Sequence, residues 1–352
     1  MRRNILYIFY LLVFTLIISE ILLRVYDPFK MSVAGNQINL LTNYTRHIHN
    51  NKYEKLDKEI VVKKNSLGFR GPEFDNSKYK IVAIGGSTTE CLLINEVNTW
   101  PHLLAGMLGK EYWVNNAGMD GHSTFGHILL MKRFIVPLRP DMVLFLVGCN
   151  EVGRDDLNRF DSSLHAHSTF EKLAEYSKLA NLVLNLKRQH KASQLNLEHG
   201  KHFTLSDNIP LSLAPQYMDS VLSIESKRLS SYYKRLGLLI ALSKSAGIKP
   251  VFITQPILLG KGRDSTTGVN LETYRIKDNL NGLLYWRELE LYNDVTRKIC
   301  ADSNICVIDL AGLMPKSSNY FYDFMHYDNK GCEEVANIIY KEFPKISIAS
   351  HE

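Results

Sequence analysis

The five cysteines of this chain (Cys91, Cys149, Cys300, Cys306 and Cys332) include no Cys-x-x-Cys pair and no metal-ligand spacing. The usual sequence marks of a zinc site or a dithiol redox centre are therefore missing, and neither a metal nor an organic cofactor is expected. Their odd number rules out complete pairing within one chain. Cys300 and Cys306 are close enough in sequence for a local disulfide in an oxidising compartment, whereas Cys91 and Cys149 flank apolar strands and read as small core residues. Low-complexity tracts and internal repeats are absent as well. Excess charge of one sign is missing from the main body: residues 1–80 hold 13 Lys and Arg against 7 Asp and Glu, which accounts for the whole net charge of +6. A neutral body argues against a nucleic-acid-binding enzyme, whose basic surface should lie on the folded domain. The basic N-terminal surplus suits anionic lipid head groups or a solvated linker. No Gly-Lys-Ser/Thr follows Gly85-Gly86, which excludes a phosphate-binding loop there.

What remains is an ordinary globular composition, 45% hydrophobic and 22% charged over 352 residues, enough for one large domain with extensions. Residues 4–23, NILYIFYLLVFTLIISEILL, are nearly all apolar, with Glu20 the only charge. That is about the length needed to span a bilayer. Arg2 and Arg3 precede the run, so the positive-inside tendency puts the N-terminus in the cytoplasm and the body outside. A cleaved signal peptide should have a shorter apolar region and an A-x-A-like site, and SEILLRVYDPF follows instead. An uncleaved single-pass anchor over 1–24 is expected, with a cleaved signal and a buried core helix as alternatives. Residues 25–78 read as a stalk and domain-packing extension. Within them, NSLGFRGPEF (65–74) is a turn presenting Phe69 and Arg70 between Gly68 and Gly71; a packed Phe with a salt-bridged Arg fits it equally.

From residue 79 strands alternate with helices. Apolar, β-branched runs occur at 79–84, 112–117, 141–147, 249–254 and 305–309. Helical patterns lie at 97–110, 122–136, about 215–246, 284–303 and 329–343. This rhythm predicts an α/β domain over 79–346, with a parallel sheet of about five strands covered on both faces. Two segments break the rhythm. Residues 151–214 include a polar stretch with His190, His199 and His202, which reads as an exposed loop, and 257–283 form a long Gly-rich loop. Long loops of this kind are usually functional or disordered.

The stretch KIVAIGGSTTE (80–90) reads as a buried strand running into a tight turn that delivers Ser87 past the strand's carboxyl end, where open parallel sheets place ligands. A surface turn with a solvated serine reads the stretch equally well. As a nucleophile, Ser87 needs a base, a group to orient that base and oxyanion donors. Asp323 and His326, in YFYDFMHYDNKG, are three residues apart and would share a face within a helical turn. A carboxylate there can fix the imidazole tautomer. NNAGMDGHS supplies Gly118 and Gly121 at the second strand end, Gly121 leading into a helix with unpaired N–H groups. VGCNE delivers Asn150 at the third.

Taken together, these four blocks resemble the SGNH hydrolases, or GDSL-type esterases, over roughly residues 65–343. IGGSTTE matches the family's serine block, NAGMDG its glycine block, VGCNE its asparagine block and DFMH its last block. The resemblance implies a flavodoxin-like, three-layer, doubly wound fold. It also implies Ser87 as nucleophile, His326 as base, Asp323 as orienting acid, and an oxyanion hole from the Ser87 N–H, the Gly121 N–H and the Asn150 amide. The sequence departs from the pattern in having Gly86 where Asp is usual and Glu151 after Asn150 where Asp is usual. NSLGFRGPE, ITQP (253–256) and YWRELELYN (285–293) are similar to segments of membrane-anchored bacterial members, although Tyr285, Trp286, Leu289 and Leu291 read as helical core. Arg70 and Glu151 are candidate substrate contacts. An α/β-hydrolase would need G-x-S-x-G, and Thr89 occupies the last position. The expectation is an esterase acting outside the cytoplasm on an acylated small molecule, glycan or lipid, with membrane contact through the N-terminal helix. An O-acyltransferase using the same three residues and a non-catalytic envelope-binding scaffold are the alternatives.

Overall fold

A computed structural model describes residues 2–153, 168–194, 204–206 and 209–348. The expected insertion 151–214 thus lies partly outside the described residues, as do His199 and His202. The described chain divides into two compact units, one running to Leu41 and including 168–194, the other covering 42–153 and the residues from 204 onward. Residues 25–78, expected as one extension, are shared between them.

The first unit opens with helix α1 (Arg2–Val25), which is long and apolar enough to cross a membrane or to act as a signal sequence. A two-residue-strand hairpin follows, β1 (Val33–Ala34) and β2 (Gln37–Ile38). The second unit begins with the antiparallel hairpin β3 (Tyr44–His49) and β4 (Glu59–Lys64). Next come β5 (Tyr79–Gly85), the single turn α2 (Ser87–Glu90), α3 (Trp100–Leu108) and β6 (Tyr112–Asn116). Helix α4 (Thr124–Leu130) passes through a π-helical turn at Met131–Ile135 into α5 (Val136–Leu138), and β7 (Met142–Val147) follows. Helices α6 (Thr169–Tyr176) and α7 (Lys178–Gln194) return to the first unit. The remainder of the second unit is α8 (Pro215–Ser226), α9 (Leu229–Ser245), β8 (Lys249–Thr254), the short pair β9 (Arg275–Lys277) and β10 (Leu280–Asn281), α10 (Gly282–Asp302), β11 (Cys306–Ile308), α11 (Leu310–Leu313) and α12 (Asn329–Ile348).

Five strands form one parallel sheet in the order β11-β8-β7-β5-β6, the flavodoxin-like order of a doubly wound fold. Every residue of β7 is buried, as expected of a central strand covered on both faces. Because successive side chains point to opposite faces, Ile81, Leu144 and Ile253 pack with Trp100 and Leu104 of α3 and Val335 and Ile339 of α12. Their neighbours Phe145 and Phe252 stack at 5.0 Å on the other face, the side of Tyr232 in α9 and Tyr292 in α10, whose rings meet at 5.1 Å.

Register sets the site. Gly85 is paired with Leu146, and Val147 with Thr254, so the chain leaves β5, β7 and β8 at one edge of the sheet. The order reverses between β5 and β7, and this carboxyl-end crevice is where open α/β sheets bind ligands.

Candidate active site

Ser87 is the first residue of α2, directly after β5 and the two glycines. Neither glycine is there for a positive φ; both are there for lack of space. A Cβ on Gly85 would meet Thr89 Oγ1 at 2.1 Å, and one on Gly86 would meet Asn150 Nδ2 at 2.3 Å. At the start of a helix the Ser87 N–H has no intrahelical acceptor.

The segment after α11 brings the other two side chains. Phe321 and Tyr327 form an isolated antiparallel bridge, closing a tight loop around Asp323 and His326. The expected helical turn is therefore replaced by a loop that Asp323 itself organises. Its Oδ1 accepts the N–H groups of Met325 at 2.8 Å and His326 at 2.7 Å, the local carboxylate–backbone bonding that competes with helix. Asp323 Oδ2 lies 2.7 Å from His326 Nδ1, and His326 Nε2 lies 2.8 Å from Ser87 Oγ. Tyr322 stacks on the imidazole with centroids 5.5 Å apart. Burial pushes the Asp323 carboxyl up, yet the His326 charge and the ring and backbone N–H groups outweigh it and hold the carboxyl below its ordinary value. With Nδ1–H donated to Asp323, Nε2 is placed to accept the Ser87 hydroxyl proton.

Asn150 follows β7 in a 3₁₀ turn (Cys149–Glu151) and donates one amide N–H to the His122 carbonyl at 2.9 Å. Its nitrogen faces Gly86, within reach of the space beside Ser87. Gly121, with φ +71°, closes the turn before α4. That turn is tied to α2, because Asp120 N–H donates to Glu90 at 2.7 Å and the Met119 N–H to the Gly85 carbonyl at 3.0 Å. The chemistry available to this set is proton transfer from a hydroxyl through an oriented imidazole, with amide donors beside the nucleophile.

The two candidate substrate contacts are both turned inward. Arg70 is 1% exposed. Its guanidinium donates to the carbonyls of Glu90, Cys91 and Ile94 at 2.7–2.8 Å and pairs with Glu96 at 2.9 Å. It holds the chain that leaves α2, with four of its five N–H donors committed to that segment. Glu151 is equally buried: it accepts the Thr124 N–H and pairs with Arg235 at 2.7 Å, and Arg235 Nε donates to Thr124 Oγ1 at 2.7 Å. This carboxylate joins the Asn150 turn to the start of α4, which follows Gly121. Both residues position the site from behind.

Gln255 of ITQP was not expected here. It accepts the Thr88 hydroxyl at 2.9 Å and is itself fixed by Asn293. A polar residue directly after a strand whose middle is apolar (Pro250–Ile253) is the sequence signal that marks it. Leu289 is fully buried in the core. Cys300 and Cys306 are not joined in a disulfide, nor is any of the other three, so the local disulfide is not formed. Burial, the larger cause, and the Cys306 thiol push Cys300 up to about 12.

A small cavity beside the serine is lined by Ser87, Thr88, Cys91, Ile94, Tyr322, His326 and Tyr327. No family model matches this chain and no curated protein matches it. Solved structures similar to it include a GDSL-like lipase from Bacteroides thetaiotaomicron (11% identity, 78% of this chain and 92% of that one, TM-score 0.40). Others are the acetyl xylan esterase AlAXEase (17% identity, 74% and 98%, TM-score 0.42) and a catalytic mutant of the acetylxylan esterase Axe2 from Geobacillus stearothermophilus (14% identity, 76% and 95%, TM-score 0.43). The first of these carries the name of the group that the four sequence blocks resemble. At such identity and superposition they carry no argument about chemistry, which rests on the side chains.

Proposed function

We propose that this chain is a membrane-anchored serine esterase acting on a short acyl ester, outside the cytoplasm, through an acyl-enzyme on Ser87. The observation that carries the reading is the unbroken run of contacts from Asp323 through His326 to Ser87 Oγ, at 2.7 and 2.8 Å. Ser87 Oγ attacks the ester carbonyl carbon while its proton passes to His326 Nε2. The carbonyl oxygen becomes an oxyanion facing the Ser87 N–H, the Asn150 amide and the Gly121 N–H. Collapse breaks the bond to the alcohol, which leaves with the proton from His326. Water then adds to the acyl-enzyme with His326 again as base, releasing the acid and restoring the serine. Asp323 orients the imidazole and stabilises its charged form.

The cavity walls of Cys91, Ile94, Tyr322 and Tyr327 favour an acetyl-sized group over a long chain. An acylated envelope glycan or lipid is the substrate class that fits an enzyme held at the outer surface by α1. A fluorophosphonate should label the full-length protein, with labelling lost in Ser87→Ala, and an ester panel should fall in rate as the acyl chain lengthens. Absence of labelling under every condition would sink the esterase reading. Acyl transfer to a glycan hydroxyl in excess of free acid would make the chain an O-acyltransferase.

A further inference from the structure

The first compact unit contains a helical pair whose polarity is inverted. The polar sides of α6 and α7 are turned toward the β1–β2 hairpin: Glu171 and Glu175 accept from Asn36 and Gln37 at 3.3 and 3.1 Å. Asn181 accepts the Gly35 N–H at 3.0 Å, and Arg188 donates to the Gly35 carbonyl at 2.7 Å. The fit is close, since a Cβ on Gly35 would come within 2.4 Å of Glu175 Cγ. Ala174, Ala180 and Leu184 are buried, while five other apolar side chains are left outside. Phe170, Leu173, Tyr176, Val183 and Leu186 are 44–77% exposed. A helix pair bathed in water puts these faces the other way round, and a contiguous exposed apolar surface marks a contact with something apolar.

The anchor helix says what that something is. Glu20 of α1 accepts the N–H groups of Lys178 and Leu179 at 3.0 and 2.9 Å and the Ser177 hydroxyl at 2.8 Å, capping α7. Arg24, one turn further on, bonds to Glu20 at 2.7 Å and to the Tyr176 carbonyl. At 1.5 Å per residue, Glu20 lies about 7–8 Å before the end of α1. A span of about 20 residues starting after Arg3 ends close to Arg24. The junction of α6 and α7 is thereby fixed at the depth where acyl chains give way to head groups. Exposed Lys172 and Lys187 lie on the same two helices, as on helices that rest in the interface.

Resting on the reading of α1 as a span, we infer that α6 and α7 form a monotopic hairpin lying in the lipid interface, its apolar side chains inserted among the acyl chains nearest the head groups. Tyr176, the most exposed of them, sits at the level favoured by interfacial aromatics.

Full-length protein reconstituted in phosphatidylcholine vesicles, with acyl chains brominated either near the head group or near the chain end, tests this. Leu173→Trp and Tyr176→Trp should each lose most of their added emission to the shallow bromine and little to the deep one. Phe14→Trp, in the middle of α1, should show the reverse order. Deep quenching of Phe14→Trp with none at positions 173 and 176 overturns the hairpin proposal and leaves the anchor standing. No quenching of Phe14→Trp in either lipid overturns the anchor reading and this proposal with it. Emission at 173 and 176 that follows protein density rather than bromination would place a second copy there, and would also overturn it. Fluorophosphonate labelling of each variant reports that the fold is kept, and Phe170→Trp substitutes for a variant that is not.

Discussion

Gly86 leaves room for a side chain that comes from another strand. A Cβ at this position would stand 2.3 Å from Asn150 Nδ2, so the residue that departs from the family's usual Asp is fitted to where this asparagine lies. Gly86→Ala should displace the amide and lower kcat by about 10²–10³, the effect of losing one oxyanion donor. Steady-state kinetics should show KM little changed, and Asn150→Ala added to it should cost little more, since both remove the same interaction. Asp323→Asn should lower kcat by about 10⁴ through the wrong histidine tautomer, with the fold intact by circular dichroism. The same variant has a pH signature. The folded-state pKa of Asp323 is depressed below 3.8, so its contribution to stability is complete above the unfolded value and lost as pH falls through the native one. The acid limb of the unfolding midpoint against pH should be flatter in Asp323→Asn than in the parent. Ser87, Asp323 and His326 were legible because nucleophile, acid and base types are few and each closes a recognisable block. Arg70 was not, because a guanidinium that binds carbonyls and one that binds a ligand look alike in sequence.

The elements carrying these residues are joined by buried polar groups. Glu151 and Arg235 form such a pair, with side-chain exposures of 1% and 7%, linking the Asn150 turn, the start of α4 and the middle of α9. Removing one partner of a buried pair typically costs about 3–5 kcal/mol, because the other charge is left unmatched. Glu151→Gln should show a loss of that order in chemical denaturation. Glu151→Gln combined with Arg235→Met should recover much of it, as the orphaned charge disappears. The five strands could be read to within a residue or two, since their apolar runs are short and bounded by Gly, Pro or Asn. The pattern at 215–246 read as one helix and is two, parted at Lys227 and Arg228, where no Gly or Pro marks the break. The loop at 322–326 was also hidden, because three-residue spacing of Asp and His suits a helical turn as well as a carboxylate that caps its own backbone.

At the scale of the whole molecule, the apolar helix α1 bears on where the proposed chemistry would take place. Helix α1 buries none of its apolar window against the protein, which suits a membrane span or a signal sequence. Arg2 and Arg3 precede the apolar run 4–23, and if that run spans a membrane, an excess of basic residues beside it marks the cytoplasmic side. On the proposed orientation the body lies on the other face, where the described cysteines would have to persist as thiols in a more oxidising medium. None of the five forms a disulfide, and Cys91 and Cys332 are buried with their sulfurs 3.9 Å apart. Burial, first among the causes, pushes the Cys332 thiol well up, which suppresses the thiolate needed for exchange. Such thiols are protected by packing. A C-terminal alkaline phosphatase fusion, active only after export, should be active, and a C-terminal fluorescent protein that needs the cytoplasm to mature should stay dark. Replacing Arg2 and Arg3 with Glu while adding Lys residues directly after Val25 should invert part of the population and reverse both signals in proportion. A bright cytoplasmic reporter on the parent chain would overturn the orientation while leaving the Ser87 chemistry open to test in its new compartment.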